Sequence, residues 1–120
     1  MEELTKAEER IMQIVWKLKS AFVKDIISQL DENPKPPYNT ISSIVRLLEK
    51  KGYLAYKAYG KTYEYYPQIS KSDYRKAFFK KMISGYFDNS VESLLSFMVK
   101  EQKLSDEELK KIKEIIDKNR

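Results

Sequence analysis

Apolar residues recur at Ala7, Ile11, Ile14 or Val15, and Leu18, three or four positions apart. That spacing predicts an amphipathic helix with one buried face. Thr5-Lys6-Ala7-Glu8 just ahead of it has the form of a capping box, with Thr5 serving the Glu8 amide and Glu8 reaching back. Trp16 beside the stripe reads as core or rim. After a break at Lys19-Ser20-Ala21, Val23, Ile26, Ile27 and Leu30 predict a second helix. Pro34, Pro36 and Pro37 then end the pattern, because proline clashes with a continuing helix and stiffens the chain before it.

A third helix is predicted from Tyr38 or Thr40 to Lys51, closed by Gly52 just past its end. Asn39 is the N-cap by residue type, and Pro37 is the alternative. Ile41, Ile44 or Val45, and Leu48 form its apolar face. Thr40, Ser42, Ser43, Arg46, Glu49 and Lys50 form the opposite one. The period then changes to two. Leu54, Tyr56 and Ala58 alternate with Ala55, Lys57 and Tyr59. Beyond Gly60-Lys61, Tyr63 and Tyr65 alternate with Thr62, Glu64 and Tyr66. This is a hairpin turned at Gly60 and ended by Pro67.

Past Pro67 the pattern is helical throughout. Ser70 or Ser72 can cap a helix carrying Tyr74, Phe78, Met82 and Tyr86, with Phe79, Ile83 and Phe87 beside them. Asp88-Asn89-Ser90 breaks it, and Val91, Leu94, Leu95, Met98 and Val99 follow. Ser105-Asp106-Glu107-Glu108 opens a last helix with Leu109, Ile112 and Ile115 or Ile116. Three short helices bury too little surface alone, so their apolar stripes need a partner, and a second copy of the chain is the simplest one. The expected organisation is therefore mainly α with a small β-hairpin. A winged helix-turn-helix domain spans residues 1–67, and a helical dimerisation region spans 68–120. The dimer face is assigned to Tyr74, Phe78, Met82, Tyr86, Leu94, Leu95, Met98 and Ile112.

Charge sharpens this picture. The net charge of +5 is modest, but residues 33–67 hold Lys35, Arg46, Lys50, Lys51, Lys57 and Lys61 against only Glu49 and Glu64. Such a concentration is the footprint of polyanion binding, although lysines also simply solvate surfaces. In a winged helix the third helix enters the major groove and the wing follows the backbone. Thr40, Ser42 and Ser43 are short enough to approach base edges, and Arg46 can fork onto guanine or a phosphate. Lys50, Lys51, Lys57 and Lys61 would release counterions from phosphates. Tyr53, Tyr56, Tyr59, Tyr63, Tyr65 and Tyr66 crowd the hairpin, most of them as scaffold. A protein-docking module without nucleic-acid binding is the second reading of the same pattern.

The chain has no cysteine and no histidine, which excludes disulfides, thiolate nucleophiles, imidazole bases and the usual zinc sites. No carboxylate or lysine pair stands in a patterned context, so no catalytic residue, metal ligand or cofactor is assigned, and the chain does not read as an enzyme. No apolar run is long enough to span a bilayer or act as a signal peptide, which predicts a cytoplasmic protein without membrane insertion.

Leu4-Thr5-Lys6-Ala7-Glu8, Asn39-Thr40-Ile41-Ser42-Ser43-Ile44-Val45-Arg46-Leu47-Leu48-Glu49-Lys50-Lys51-Gly52 and Tyr59-Gly60-Lys61-Thr62-Tyr63-Glu64-Tyr65-Tyr66-Pro67, with Tyr86-Phe87-Asp88-Asn89-Ser90, resemble the BlaI/MecI (penicillinase repressor) family. The resemblance covers nearly the whole chain. It implies a homodimeric repressor that binds a palindromic operator in double-stranded DNA through its winged helix and dimerises through its C-terminal helices. It places Thr40 and Ser43 on the reading helix and Lys61 at the wing. It also implies release by proteolysis in the C-terminal region, triggered by a membrane sensor. Three departures stand out. The family commonly carries arginine where Leu47 stands, and here the arginine is Arg46, a rotation of about 100°. The family's cleaved Asn-Phe bond aligns with Ser96-Phe97. Copper-responsive members use a C-terminal cysteine cluster, which this chain lacks.

Overall fold

The computed structural model describes residues 1–102 and 104–118; the side chains of Gln102 and Ile116 lie outside the described set. Its elements run α1 (Lys6–Leu18), α2 (Val23–Ser28), α3 (Tyr38–Lys50), β1 (Leu54–Tyr59), β2 (Thr62–Pro67), α4 (Lys71–Tyr86), α5 (Val91–Gln102) and α6 (Asp106–Lys118). The winged-helix order expected from the sequence is the one observed. Two compact units result, Met1–Ala77 and Phe78–Arg120.

Helix α1 starts at the expected capping box: the Glu8 amide donates to Thr5 Oγ1 at 3.1 Å and the Thr5 amide to Glu8 Oε1 at 2.9 Å. Its buried stripe is Glu8, Ile11, Met12 and Val15, so the face is rotated from the expected one. Ala7 is exposed and Met12 is fully enclosed. The stripe thus includes Glu8, a charged residue that Lys51 answers (below). Lys19 ends the helix at φ 72°, a left-handed conformation rarely adopted by a residue with a Cβ. Helix α2 is shorter than its apolar spacing suggests. It stops at Ser28, and Leu30 still reaches the core through a further turn in which its amide donates to Ile27 O at 3.1 Å.

Pro37, not Asn39, caps α3. The Thr40 and Ile41 amides both donate to the Pro37 carbonyl, at 3.2 and 3.4 Å. A proline-rich approach fixes the backbone there, so no capping side chain is needed. At the far end Gly52 takes φ 84°, and the Tyr53 amide returns to Leu48 O at 2.9 Å while Gly52 donates to Glu49 O at 3.0 Å. This Schellman closure turns the chain directly into β1. The strands pair antiparallel with Tyr56 opposite Tyr65 and Tyr59 opposite Thr62, leaving Gly60-Lys61 as the two-residue turn. Ala21 adds a bridge to the free edge of β2 through both backbone bonds with Tyr65, 2.9 and 2.8 Å.

Ile11, Met12, Val15, Ile26, Val45, Leu48, Tyr53 and Leu54 form the centre of the N-terminal core. Tyr74 packs on its rim, 5.4 Å from the Trp16 ring and 6.0 Å from Tyr53, while Trp16 Nε1 donates to Ile69 O at 2.9 Å. These contacts draw the first turn of α4 into the N-terminal unit. The compact units accordingly divide inside α4, after Ala77, and Tyr74 packs within the N-terminal one.

In the C-terminal unit the chain leaves α4 through Asp88 and Asn89, both at positive φ, with the Asn89 amide bonded to Ile83 O at 3.0 Å. Ser90 and Ser105 cap α5 and α6 through their hydroxyls, 3.0 Å to the Ser93 amide and 3.2 Å to the Glu108 amide. Among the described residues of this unit only Ile83 is buried, at 7% exposure.

Candidate nucleic-acid interface

The geometry of α3 follows from which of its side chains the core consumes. Ile41, Val45 and Leu48 are buried, which anchors one side of the helix against α1, α2 and the hairpin. At about 100° per residue the opposite side carries Thr40, Ser43, Leu47 and Lys50. Thr40, Ser43, Arg46 and Lys50 are all exposed. Ser43 Oγ donates to Asn39 O at 2.9 Å and keeps its acceptor capacity. Thr40, Ser43 and Lys50 therefore share one outward face.

Ser42 does not belong to that face. It is 7% exposed and lies on the core side of the helix, where its Oγ accepts from Arg46 Nη2 at 3.2 Å. Chemical type groups Ser42 with Ser43, but adjacent helical residues diverge by about 100°, and only Ser43 is exposed. The role of Ser42 is to hold the guanidinium along the flank of α3. Burial pushes the Tyr65 phenol up, the Glu49 carboxylate adds to the rise, and the Arg46 guanidinium opposes it.

Lys51 is engaged within the fold. Its ammonium donates to Glu8 Oε1 at 2.7 Å and to the Glu3 carbonyl at 3.4 Å, tying the end of α3 to the start of α1. Burial alone would raise the Glu8 carboxyl. The hydrogen bonds from Lys51 and the Thr5 backbone, with the Lys51 charge, outweigh it and hold the carboxyl below its ordinary range.

On the wing, Lys61 sits exposed in the turn. Lys57 is exposed on the strand face that also bears Tyr59, whose ring centroid is 5.4 Å from Nζ. The other face stacks Tyr56 on Tyr63 at 4.3 Å and leads down to the buried Tyr65. Pairing diagonal tyrosines stiffens a hairpin that would be marginal alone. The structure adds one residue that sequence reasoning left off both faces: Leu47, 50% exposed, on the outward side of α3 between Ser43 and Thr40. The signal was available, since Leu47 follows Ser43 by four positions.

Of the residues assigned to a dimer face, Phe78 and Tyr86 are strongly exposed at 57% and 83%. Met82, Leu94, Leu95, Met98 and Ile112 are half-buried. Ser96 and Phe97 lie within α5, with Phe97 edge-on to Phe87 at 5.7 Å. Among the described residues, no cluster of acidic, cysteine or histidine side chains could hold a metal ion, and no helix is long and apolar enough to cross a membrane.

Comparison with known proteins agrees with this architecture. The family model for penicillinase repressors matches residues 4–118. The methicillin resistance regulatory protein MecI of Staphylococcus aureus (strain N315) is 28% identical over 116 residues, covering 97% of this chain and 94% of that protein. The penicillinase repressor of Bacillus licheniformis is 24% identical over 118 residues, covering 98% and 92%. The solution structure of the DNA binding domain of the repressor BlaI matches with a TM-score of 0.52 and 30% identity, over 62% of this chain and 94% of that domain. The family is one of repressors and not of enzymes. A match that begins at the residue before the α1 cap and runs to the end of α6 leaves one conclusion: the chain belongs to the penicillinase repressor family.

Proposed function

We propose that this chain is a cytoplasmic, homodimeric transcriptional repressor that binds a palindromic operator with α3 in the major groove and the β1–β2 wing on the adjoining backbone. The observation that carries this reading is the outward side of α3. Thr40, Ser43 and Lys50 are exposed together there, beside a wing whose Lys57 and Lys61 are also exposed. Short hydroxyl side chains admit close approach to base edges, and the lysines supply phosphate contacts that fix register. Arg46 serves the flank of the groove nearest the wing.

The second copy is recruited by the apolar residues of α4–α6. Phe78, Tyr86 and Phe97 leave large ring surfaces in water, and covering them is the driving force for pairing. Two reading helices then address half-sites about one helical turn apart. Relief of repression acts on this C-terminal region, through a membrane sensor and proteolysis. The Ser96-Phe97 bond is the candidate target, and its place inside α5 means that the helix must open locally before a protease can take it.

Fluorescence anisotropy with DNA from upstream of the chain's own gene tests the reading. Binding that weakens linearly on a log–log salt scale is expected, with a slope near −0.9 per phosphate engaged, on the order of the lysine contacts in play. Absence of salt-dependent binding would sink it. Binding of a protein ligand that survives Arg46→Glu and Lys50→Glu, without any DNA affinity, would make the chain a docking module instead.

A further inference from the structure

We infer that Leu47 is a specificity-determining residue that reads the C5-methyl group of thymine in the major groove, an inference that rests on the DNA-binding reading above. Leu47 points about 160° away from the fully buried Val45, about 40° from Ser43 and about 20° from Thr40 on the helical wheel. It thus stands on the outward side of α3, between Ser43 and Thr40 on the wheel. The side chain is 50% exposed although Val45 and Leu48 on the same helix are completely enclosed. A single exposed leucine carries no message by itself. This one shares the exposed side of α3 with Thr40 and Ser43, the side that the DNA-binding reading turns toward the major groove.

Leucine has no donor and no acceptor, so it cannot bind a phosphate or pair with a purine edge. Thymine alone among the four bases offers a methyl group in the major groove. Against adenine N6, cytosine N4 or guanine O6, the same side chain would strip water from a polar atom and return nothing. Leu47 therefore selects by attraction at thymine and by penalty elsewhere. Arg46, held on the flank by Ser42 at 3.2 Å, is turned about 100° away and leaves that position to the leucine.

The test is a thymine-to-deoxyuridine scan of the promoter fragment, which deletes one methyl group at a time, titrated with the full chain and with Leu47→Ala. The expected result is a loss of about fourfold in affinity at one thymine per half-site for the unaltered chain, from one methyl group no longer buried. Leu47→Ala should bind the two DNAs at that position equally, so that the losses are not additive. Leu47→Gln, which keeps the length and polarises the tip, should prefer neither. If the unaltered chain binds every deoxyuridine fragment as tightly as the parent, with normal salt dependence, the inference is wrong while the repressor reading stands. Equal losses in the chain and in Leu47→Ala would assign the methyl contact to another residue and likewise overturn it. Failure of the unaltered chain to bind the parent fragment at all would overturn both.

Discussion

Lys51 and Glu8 lie 43 positions apart in sequence and meet at 2.7 Å, where the end of α3 touches the start of α1. The pair is nearly enclosed on the carboxylate side, with Glu8 at 4% and Lys51 at 22% side-chain exposure. A basic residue at the end of α3 also suits the helix dipole. The orientation of α3 on the core is thus set partly by an ion pair, which is a directional contact as hydrophobic packing is not.

Acid should therefore loosen the fold at this point. The folded Glu8 carboxyl is held below its ordinary value of 4.5, so its stabilisation is fully present above that value and is lost as pH falls through the lower, folded one. Urea midpoints measured from about pH 6 down to about pH 3 should fall, and Glu8→Gln should flatten that fall.

Lys51→Met leaves Glu8 buried without its cation. Because Lys51 is partly solvated, the expected loss is about 2 kcal/mol, less than for a fully buried pair. The same variant should leave the salt slope of DNA binding unchanged. Lys50→Gln, Lys57→Gln and Lys61→Gln should each reduce that slope by about 0.9 with little effect on the urea midpoint. A slope change in Lys51→Met would return that residue to the phosphate contacts.

The two aromatic groups of α4 should separate in their effects. Tyr74→Ala removes a ring from between Trp16 and Tyr53, and should lower the stability of the N-terminal unit by about 2 kcal/mol, as a half-buried ring contributes less than a fully buried one. Phe78→Ala and Leu94→Ala should instead weaken self-association, with operator affinity falling alongside. Sedimentation at low concentration distinguishes them: a Phe78→Ala chain that stays fully dimeric would remove Phe78 from the pairing surface.

At the end of α1, Lys19 holds φ 72° with a side chain that disfavours it. Lys19→Gly should raise stability by about 1 kcal/mol, as relief of the left-handed conformation outweighs the added chain entropy. A thermal melt that shifts downward would refute this.

Much of the architecture was legible because it is written in local periods. The 3.6-residue spacing of α1 and α3, the change to period two at Leu54, Gly52 and Gly60 at the turns, and serines 70, 90 and 105 before their helices each report a nearest-neighbour preference. The motifs that carry the family resemblance lie on those same elements. Positions decided by contacts across the fold were not legible. Ala7 traded places with Glu8 in the α1 stripe, because only the packed structure brings Lys51 to that carboxylate. Asn39 gave way to Pro37 as the cap of α3, because the backbone of the proline run supplies the carbonyl.

The sequence alone determined the order of elements, the wing, the basic segment and the family, since each depends on residue type and spacing along one stretch of chain. The tertiary structure decided which side of α3 is spent on the core. That single rotation buried Ser42 and left Leu47 on the outward side; a contact across 43 residues engaged Lys51 with Glu8. The physical reason is that a helix has one set of dihedrals but many possible rotations on a core. The rotation adopted is the one that buries Val45 and Leu48 completely while still letting Lys51 reach Glu8.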